Sequence, residues 1–361
     1  MTYLFFVQGE GRGHFSQALT LKEKLEKRGH RVLAIIVGLD RHNKIPTFFK
    51  EQIDVPLFKI ASPGFVTDRR QQGIKIGTSI IKNLILLPFY LNSLKQIKNI
   101  VTHFNPDALV NFYEIMAGNY CRFHQEKRPL FSIGHQYFIH HPHFHFPKGQ
   151  ALSKFFFKLY NNLNAPQKSV RIALSFTAEK DLTDKKLFIC PPLIKSAIKN
   201  QTPENKNFIL TYILNPGYSQ EITNWSQKHP EIRIEAFWSG SEQEKTIISP
   251  SLTFRRLSGP KFIELLSSCH AYASTAGFDS ISEAAYLQKS ILMVPTKHHF
   301  EQKCNAVDAG RAGLALSSQN FNLDLISDET NNQKNTPALQ KFKAWVDNND
   351  DKIVSILEQR L

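Results

Sequence analysis

The stretch Ser274-Thr275-Ala276-Gly277-Phe278-Asp279-Ser280-Ile281-Ser282-Glu283 decides the expected fold, because it joins an apolar run to a helical pattern through small residues. Residues 271–273 before it have the apolar character of a strand end, and residues 281–287 have the composition of a short helix. A strand, a Gly-containing turn and a helix together place free backbone N–H groups and a positive dipole end at one point. The sequence therefore predicts a site for a phosphate or diphosphate group.

Polar side chains follow this turn at two places. Glu283 lies one to two turns into the predicted helix, where a carboxylate can accept hydrogen bonds from a ribose diol. Glu301 and Gln302 follow a second apolar run, residues 290–295, and so lie just past a strand end. Because α/β proteins bind ligands outside the carboxyl ends of their strands, we expect these side chains to face a ligand.

The same residues resemble the donor-binding signature of GT-B glycosyltransferases that use nucleotide-sugars. Plant-type UDP-glycosyltransferases have a Gly-Trp-Asn-Ser-x-x-Glu segment and a later acidic-Gln pair, to which residues 277–283 and 301–302 are similar. MurG-like enzymes, which add N-acetylglucosamine to lipid-linked precursors, share the Ala-Gly turn, the Ser/Thr and the Glu. Thr275 stands where the plant enzymes have a phosphate-contacting His, which brings the chain closer to the bacterial branch. The resemblance implies donor binding by Thr275, Ala276, Gly277, Phe278, Ser280, Glu283, Glu301, Gln302 and Asn305.

Asp279 departs from this signature, because the family has a neutral residue there and a carboxylate is unfavourable so near a diphosphate. We expect its side chain instead to cap the helix that follows the turn. The departure keeps a non-catalytic interpretation open, in which the protein binds a nucleotide or a glycan without transferring sugar.

The amino terminus predicts a βαβ unit opened by a Gly-rich turn. Residues 4–7 form an apolar run that ends in the Gly-rich segment 8–14, after which apolar residues recur at helical spacing. Gly29 ends this helix and residues 32–37 form the next strand. The strict Rossmann spacing is absent, and Gly38-Leu39 follows the second strand in place of an acidic residue, so a dinucleotide site is disfavoured.

The Gly-rich segment ends in Gly13-His14, which is similar to the loop near the start of MurG-like and plant-type transferases. In that family the His lies at the acceptor cleft, and in the plant enzymes it acts as a general base. The resemblance implies that His14 is the catalytic base and that Gly11 and Gly13 belong to the acceptor cleft. An imidazole suits this role because its pKa lies near neutrality. A His that only caps or packs at the helix start is the alternative.

Two further apolar runs, residues 106–111 and 130–135, have the composition of buried parallel strands with polar residues at their carboxyl ends. Because ligands bind outside the carboxyl ends of parallel strands, the polar residues there are candidates for the acceptor cleft. They are Asn111, Tyr113, Glu114 and His135.

The segment 135–145 is rich in His, and metal binding is one interpretation of it. However, no neighbouring Cys or carboxylate completes a standard ligand set, and alternating His and Phe is not a known metal spacing. We therefore expect no metal here, and a solvated loop or a contact with a sugar or lipid head group is favoured.

One apolar segment, residues 74–104, invites comparison with a membrane span. Four lysines, Lys75, Lys82, Lys95 and Lys98, divide this segment. The apolar stretches between them are too short to cross a bilayer. We expect a pair of helices, broken near Pro88 and packed in the first domain. The alternative is an apolar surface with basic flanks that faces a membrane, since MurG-like enzymes dock on the cytoplasmic leaflet in a comparable way.

Charge and cysteine content limit the function classes. The 361 residues include 45 Lys and Arg against 31 Asp and Glu, and this net charge of +14 favours acidic partners such as nucleotide phosphates or anionic lipids. Nucleic acid is the alternative by charge alone, but no zinc-finger, RNP or helix-turn-helix signature is present, so we expect no nucleic acid to bind. No signal peptide is recognisable, and we expect a cytoplasmic protein, with peripheral contact with the inner leaflet of the plasma membrane as the alternative to a wholly internal role of the apolar segment. A reducing compartment also suits the four widely spaced cysteines, Cys121, Cys190, Cys269 and Cys304.

The chain is long enough for two α/β domains, which we place at residues 1–195 and 206–361. The polar segment between them lacks periodicity. We expect a strand at residues 174–176 to end the first domain and a strand at residues 208–213 to begin the second. Together with the resemblance, this predicts an α/β GT-B fold: two Rossmann-like domains that face a central cleft, with a C-terminal helix that crosses back to the first domain.

The resemblance implies transfer of a hexosyl or N-acetylhexosaminyl group from a nucleoside-diphosphate-sugar, with UDP-sugars favoured, to a glycan, lipid-linked or small-molecule acceptor. The expected reaction inverts the anomeric centre and uses no metal or other cofactor, because helix-end amides stabilise the departing diphosphate. An epimerase of UDP-N-acetylglucosamine, which shares the fold and the diphosphate site, is the second enzymatic interpretation.

Overall fold

The structure, a computed structural model, describes residues 1–40, 42–64, 76–213, 216–241, 243–327 and 329–359. These residues form two α/β halves, each built on a seven-stranded sheet. Ile74 and Lys75 of the apolar segment lie outside the described residues.

The first half contains an all-parallel sheet flanked by helices. Its strands are β1 (Thr2–Gln8), β2 (Arg31–Leu39), β3 (Leu57–Ala61), β4 (Ala108–Phe112), β5 (Leu130–Gly134), β6 (Val170–Leu174) and β7 (Leu187–Cys190). They lie in the order β3-β2-β1-β4-β5-β6-β7. The helices are α1 (Gly13–Lys27), α2 (Thr47–Lys50), α3 (Ile76–Ile85), α4 (Leu87–Phe104), α5 (Ile115–Phe123), α6 (Ala151–Asn164) and α7 (Ser196–Lys199), with 3-10 turns at His135–His140 and Thr183–Lys185.

The interior strand β1 is buried on both faces, which accounts for its continuous apolar sequence. Alternate side chains, including Tyr3 and Phe5, pack in the cluster that contains the apolar residues of α1. The intervening Leu4 and Phe6 pack against α4 and α5 on the opposite face. This two-sided burial fixes the register of β1 and therefore the position of the Gly-rich loop that follows it.

The second half contains a sheet that is parallel except for one hairpin. Its strands are β8 (Phe208–Ile213), β9 (Arg233–Trp238), β10 (Lys245–Ser249), β11 (Leu252–Arg255), β12 (Ala271–Ser274), β13 (Ser290–Met293) and β14 (Leu316–Ser317). They lie in the order β10-β11-β9-β8-β12-β13-β14, with β10 and β11 antiparallel. The helices are α8 (Ser219–Lys228), α9 (Gly259–Ser268), α10 (Phe278–Tyr286), α11 (Phe300–Arg311), α12 (Asp324–Ser327), α13 (Glu329–Asn348) and α14 (Lys352–Glu358), with a 3-10 turn at Pro216–Tyr218.

The C-terminal helices return to the first half. Trp345 of α13 donates from Nε1 to the carbonyl oxygen of Ser175, 3.1 Å away. In α14, the carbonyl oxygen of Leu357 accepts a hydrogen bond of 3.1 Å from the hydroxyl of Tyr3 in β1. The predicted crossing of a C-terminal helix onto the first domain is therefore present.

The segment between β7 and β8 contains the predicted boundary, residues 195–206. The two helices predicted to break near Pro88 are α3 and α4, with Pro88 in the first turn of α4. The strand expected at residues 174–176 is wrong in position, because β6 ends at Leu174 and Phe176 packs against Phe278 of the other half, with ring centroids 4.7 Å apart.

Candidate functional site

A cleft of about 1150 Å³ lies between the two halves, beside the carboxyl ends of β1 and β12. Most of the residues predicted to bind ligands line it: Gly11, Gly13, His14, His135, Thr275, Gly277, Phe278, Ser280, Glu283, Glu301 and Gln302. The remaining predicted residues do not line it: Asn111, Tyr113, Glu114, Ala276 and Asn305.

The turn after β12 faces the cleft with the start of α10. No side chain caps this helix at its N-cap residue Gly277, so the cleft lies against the positive end of its dipole. Asn305 in α11 donates from Nδ2 to the carbonyl oxygen of Ala276 at 2.9 Å. Ala276 and Asn305 therefore shape the turn from behind, while Thr275 and Ser280 line the cleft itself.

Glu283 of α10 forms an ion pair with Lys195, a residue that no sequence pattern singled out. The Nζ of Lys195 lies 2.9 Å from Oε1 of Glu283, whose side chain is 5% exposed. Burial lowers the pKa of the Lys195 ammonium, but the attraction of Glu283 outweighs this effect and the pKa is raised overall. The cleft therefore contains a charged ammonium close to the turn.

Asp279 points toward the first half of the protein. Its Oδ1 accepts a hydrogen bond of 2.8 Å from Nε2 of Gln17 in α1. The expectation that Asp279 caps its own helix is wrong, since α10 has no side-chain cap at its N-cap position and the carboxylate is bonded to Gln17. Burial raises the pKa of Asp279, against the opposing effects of the Gln17 hydrogen bond and the Lys195 charge.

His14 occupies the first turn of α1, directly after the Gly-rich loop. Its Nδ1 lies 3.5 Å from Oε1 of Gln17, and its ring stacks on Tyr113 with centroids 5.9 Å apart. Burial lowers the pKa of His14 to about 4, against a smaller opposing effect of Gln17. The imidazole is therefore neutral at pH 7 and has a nitrogen lone pair that can accept a proton.

His135 and Phe278 join the two halves at the floor of the cleft. Their rings stack with centroids 4.2 Å apart and an interplanar angle of 13°. Nδ1 of His135 is 2.8 Å from the carbonyl oxygen of Leu174, and its Nε2 is 3.5 Å from Oδ2 of Asp308 in α11. Burial lowers the pKa of His135 to about 4, so this ring is also neutral at pH 7.

Glu301 and Gln302 lie in the first turn of α11, and a side-chain oxygen of each already accepts a hydrogen bond. Oε1 of Glu301 accepts a hydrogen bond of 3.0 Å from Gln136 of the first half. Burial raises the pKa of Glu301 to about 7, and the Gln136 hydrogen bond opposes this. Oε1 of Gln302 accepts from the backbone N–H of Thr296 at 2.8 Å, which fixes the loop between β13 and α11.

Asn111 and Glu114 serve the interior of the first half. Nδ2 of Asn111 donates to the carbonyl oxygen of Asn164 at 3.0 Å, and its Oδ1 accepts from the backbone N–H of Glu114 at 2.7 Å. Glu114 caps α5 by accepting from the N–H of Met116 and also accepts from the hydroxyl of Ser62. The polar side-chain atoms of Asn111 and Glu114 therefore form hydrogen bonds inside the first half. This differs from the position at the acceptor cleft that the sequence predicts for them.

The His-rich segment brings three potential metal ligands together. Atoms of His141, His143 and Glu179 lie within 4.8 Å of one another. Both ring nitrogens of His141 already have partners, because Nδ1 is 3.3 Å from the backbone N of His143 and Nε2 is 3.2 Å from the carbonyl oxygen of Lys180. We therefore assign no metal to this cluster, and the expectation that the segment binds none stays a prediction.

Comparison with known families identifies the chain. The family model described as glycosyl transferase family 1 matches residues 1–331. The chain belongs to glycosyl transferase family 1. It is therefore a glycosyltransferase, and the resemblance stated from the sequence is confirmed. A search of curated proteins finds no match.

Solved glycosyltransferases align with nearly the whole of this family 1 protein. The glycotransferase of kitacinnamycin has 13% identity and a TM-score of 0.65, over 100% of this chain and 99% of that one. The spinosyn rhamnosyltransferase SpnG, complexed with spinosyn aglycone, has 12% identity and a TM-score of 0.61, over 99% and 100%. MurG of Acinetobacter baumannii has 15% identity and a TM-score of 0.57, over 98% and 99%. These similarities confirm the predicted GT-B fold.

The first half of this family 1 protein also exposes large apolar side chains on each of α3, α4 and α6. They include Leu84 at 66%, Ile85 at 70% and Leu152 at 70% exposure. These three helices contain five lysines and no Asp or Glu. Among the described residues, no helix has both the length and the hydropathy that crossing a membrane needs.

Proposed function

We propose that this protein transfers a sugar from a nucleoside-diphosphate-sugar to a hydroxyl group of an acceptor, with inversion at the anomeric carbon. One observation carries the proposal: a neutral imidazole on the first half lines the same cleft as an uncapped helix start on the second half and Lys195 of the connecting segment. The first is suited to removing a proton, and the second is suited to holding a diphosphate.

The chemistry divides between the two sides of the cleft. Nε2 of His14 takes the proton of the acceptor hydroxyl while the acceptor oxygen forms a bond to the anomeric carbon. The bond between that carbon and the diphosphate oxygen breaks, and its electron pair leaves with the nucleoside diphosphate. The negative charge that develops is stabilised by the amides at the start of α10 and by Lys195, so the reaction proceeds without a metal ion.

The donor is bound mainly by the second half. The diphosphate lies against the turn at Thr275–Gly277 and Ser280, and Glu283 accepts hydrogen bonds from the ribose. UDP-sugars carrying a hexose or an N-acetylhexosamine are the first candidates. That SpnG has also been solved with thymidine diphosphate supports a nucleoside diphosphate as the ligand class.

A panel of sugar donors tests this proposal. UDP-, GDP- and dTDP-sugars are incubated with the protein and candidate acceptors, and released nucleoside diphosphate is measured. Release that depends on the acceptor and falls by about 10²–10⁴ in His14→Ala, with donor affinity unchanged by calorimetry, supports direct transfer. Nucleotide release that does not need an acceptor favours the epimerase interpretation, and binding without any turnover favours a non-catalytic protein.

We also propose that the first half docks on an anionic membrane surface, where a lipid-linked acceptor would be presented. The support is the set of exposed apolar side chains on α3, α4 and α6 together with Lys95, Lys98, Lys154 and Lys158, whose positive charge suits anionic head groups. Lys82 of α3 is instead paired with Asp40. On this proposal the protein lies at the inner leaflet.

Vesicle flotation tests the docking. Binding to vesicles that contain phosphatidylglycerol is expected to exceed binding to phosphatidylcholine vesicles and to weaken with salt. The double variant Leu84→Ser with Leu152→Ser is expected to bind less, while Ile247→Ser, which removes a 66% exposed side chain from the second half, serves as the matched control. Equal loss in both variants would contradict a specific docking surface.

A further inference from the structure

Gln17 links the two halves of the cleft through its side-chain amide. The residue lies in α1 and is 2% exposed. Its Nε2 donates to Oδ1 of Asp279 at 2.8 Å, and its Oε1 lies 3.5 Å from Nδ1 of His14. A carboxylate of the second half is thus connected, through one amide, to the imidazole of the first half.

The chemistry of these groups gives the link a direction. A carboxylate accepts hydrogen bonds, so Asp279 requires the NH₂ end of the Gln17 amide to face it. The carbonyl end then faces His14, and because a carbonyl oxygen only accepts, Nδ1 of the ring must carry the proton. The lone pair is therefore on Nε2, which is the tautomer that a general base using this nitrogen needs.

The side chain of Asp279 fits beside the start of α1 because residue 13 is a glycine. A Cβ atom built on Gly13 would collide with Oδ2 of Asp279. Residue 13 therefore has to lack a side chain for the carboxylate to lie beside the start of α1. The Gly-rich loop and the donor-side helix thus fit each other at this contact.

Two other charged groups, Lys195 and Glu301, interact electrostatically with Asp279. Burial raises the pKa of Asp279 and the ammonium of Lys195 opposes this, while burial raises the pKa of Glu301 and the charge of Asp279 adds to that effect. The hydrogen-bond partner that the described residues provide for the His14 ring is the Gln17 amide.

We propose that Gln17 and Asp279 are positioning residues for His14: Asp279 fixes the direction of the Gln17 amide, and the amide holds His14 as the Nδ1–H tautomer. This inference rests on the proposed function, in which His14 is the general base. Because Asp279 and His14 belong to different halves, the base is aligned only while the two halves meet at the Gln17–Asp279 hydrogen bond.

The tautomer can be measured without knowing the substrates. Protein labelled with ¹⁵N-histidine gives long-range ¹H–¹⁵N correlations that distinguish a protonated ring nitrogen from an unprotonated one, and a His14→Ala spectrum assigns the His14 signals. The wild type is expected to carry the proton on Nδ1. Asp279→Asn lets the amide reverse, so a substantial fraction of the Nε2–H tautomer is expected. Asp350→Asn, which removes a carboxylate that contacts Lys24 elsewhere on α1, is the control and is expected to match the wild type.

A paired substitution tests the polarity of the link. Gln17→Glu alone places two carboxylates against each other and is expected to disturb the tautomer. Combined with Asp279→Asn, it restores a donor facing an acceptor, since the amide introduced by the second substitution donates to the new carboxylate, which accepts from Nδ1. The double variant is therefore expected to return to the Nδ1–H tautomer. A general loss of folding would not be rescued in this way.

Kinetics separate this inference from the proposed function. With any active donor and acceptor, Asp279→Asn is expected to lower kcat by about 10- to 100-fold, less than loss of the base, with KM for the donor changed less than about 3-fold. The double variant is expected to recover at least half of that loss on a logarithmic scale. A wild-type Nε2–H tautomer, or an unchanged tautomer in Asp279→Asn, would overturn the positioning role even if transfer is observed. Absence of transfer with every donor would instead defeat the proposed function.

Discussion

Lys195 and Glu283 meet in the cleft with Nζ and Oε1 2.9 Å apart, although one lies between the two sheets in sequence and the other lies on α10. Each has a second partner in the proposed donor complex, the diphosphate for Lys195 and the ribose for Glu283. Donor binding would therefore exchange one internal ion pair for two ligand contacts. The net gain is smaller than the two contacts alone would give, because the ion pair is lost.

Lys195→Ala is expected to weaken binding of a nucleoside diphosphate while leaving binding of the nucleoside unchanged. Losing a charge-assisted hydrogen bond costs about 1.5–3 kcal/mol, a decrease of about 10- to 100-fold in affinity. Calorimetry with the diphosphate, the monophosphate and the nucleoside measures the difference. Lys199→Ala, which removes a lysine paired with Asp350, is the control. Equal weakening for all three ligands would assign Lys195 to general packing.

Glu283→Gln is expected to reduce the preference for ribose over 2′-deoxyribose. The wild-type carboxylate accepts from the ribose hydroxyls, whereas the amide does so more weakly, so the preference should fall by about 1 kcal/mol or more. Competition between UDP and its 2′-deoxy analogue measures this ratio directly. A ratio that is the same in wild type and variant would show that Glu283 serves the ion pair only.

Gln302→Ala is expected to change the preference among sugars attached to one nucleotide, with little change in affinity for the free nucleotide. Its Oε1 is held by the N–H of Thr296, which leaves the NH₂ group to donate to a sugar hydroxyl. Affinities for UDP-glucose, UDP-galactose and UDP-N-acetylglucosamine, each divided by that for UDP, give the comparison. Uniform loss for all four ligands would place Gln302 at the nucleotide end or in loop structure.

Glu114→Gln is expected to change how stability depends on pH. Burial raises the pKa of Glu114 from 4.5 to about 7, so the native state holds this proton more tightly than the unfolded chain does. The free energy of unfolding therefore falls as the pH rises from about 4.5 to about 7, by about 3 kcal/mol from this group. Glutamine cannot ionise and can still accept from Ser62 and Met116. Urea unfolding at pH 4.5 and pH 7.5 should show a smaller decrease in the variant, and parallel pH dependence in both proteins would contradict the role of burial.

The fold was predictable where local patterns and burial agree. The continuous apolar run of β1 and the small residues between β12 and α10 each have a composition that only one kind of element satisfies. The hairpin of β10 and β11 was not predicted, because Ile247 and Ile248 are exposed and give no alternation of buried and exposed positions. The strand at residues 174–176 was misplaced because an apolar side chain alone does not show what it packs against. Phe176 packs against Phe278 of the other half and is not part of a strand.

The candidate site was predictable only in part, because sequence patterns describe single elements. The turn at Thr275–Gly277 and the position of His14 follow from local spacing. The contact between Gln17 and Asp279 joins residues 262 positions apart, and no local pattern carries it. Asn111 and Glu114 show the opposite case, since they follow a strand as ligands do but are used to cap α5 and to hold α6.

The return of α14 to the first half has a mechanical consequence. In the described chain, the backbone passes between the halves once between β7 and β8 and again at the end of α13. A body attached at two points turns most easily about the line that joins them and resists rotation about other axes. The two crossings therefore restrict rotation of one half against the other mainly to a single axis, and this restriction holds Asp279 in register with Gln17.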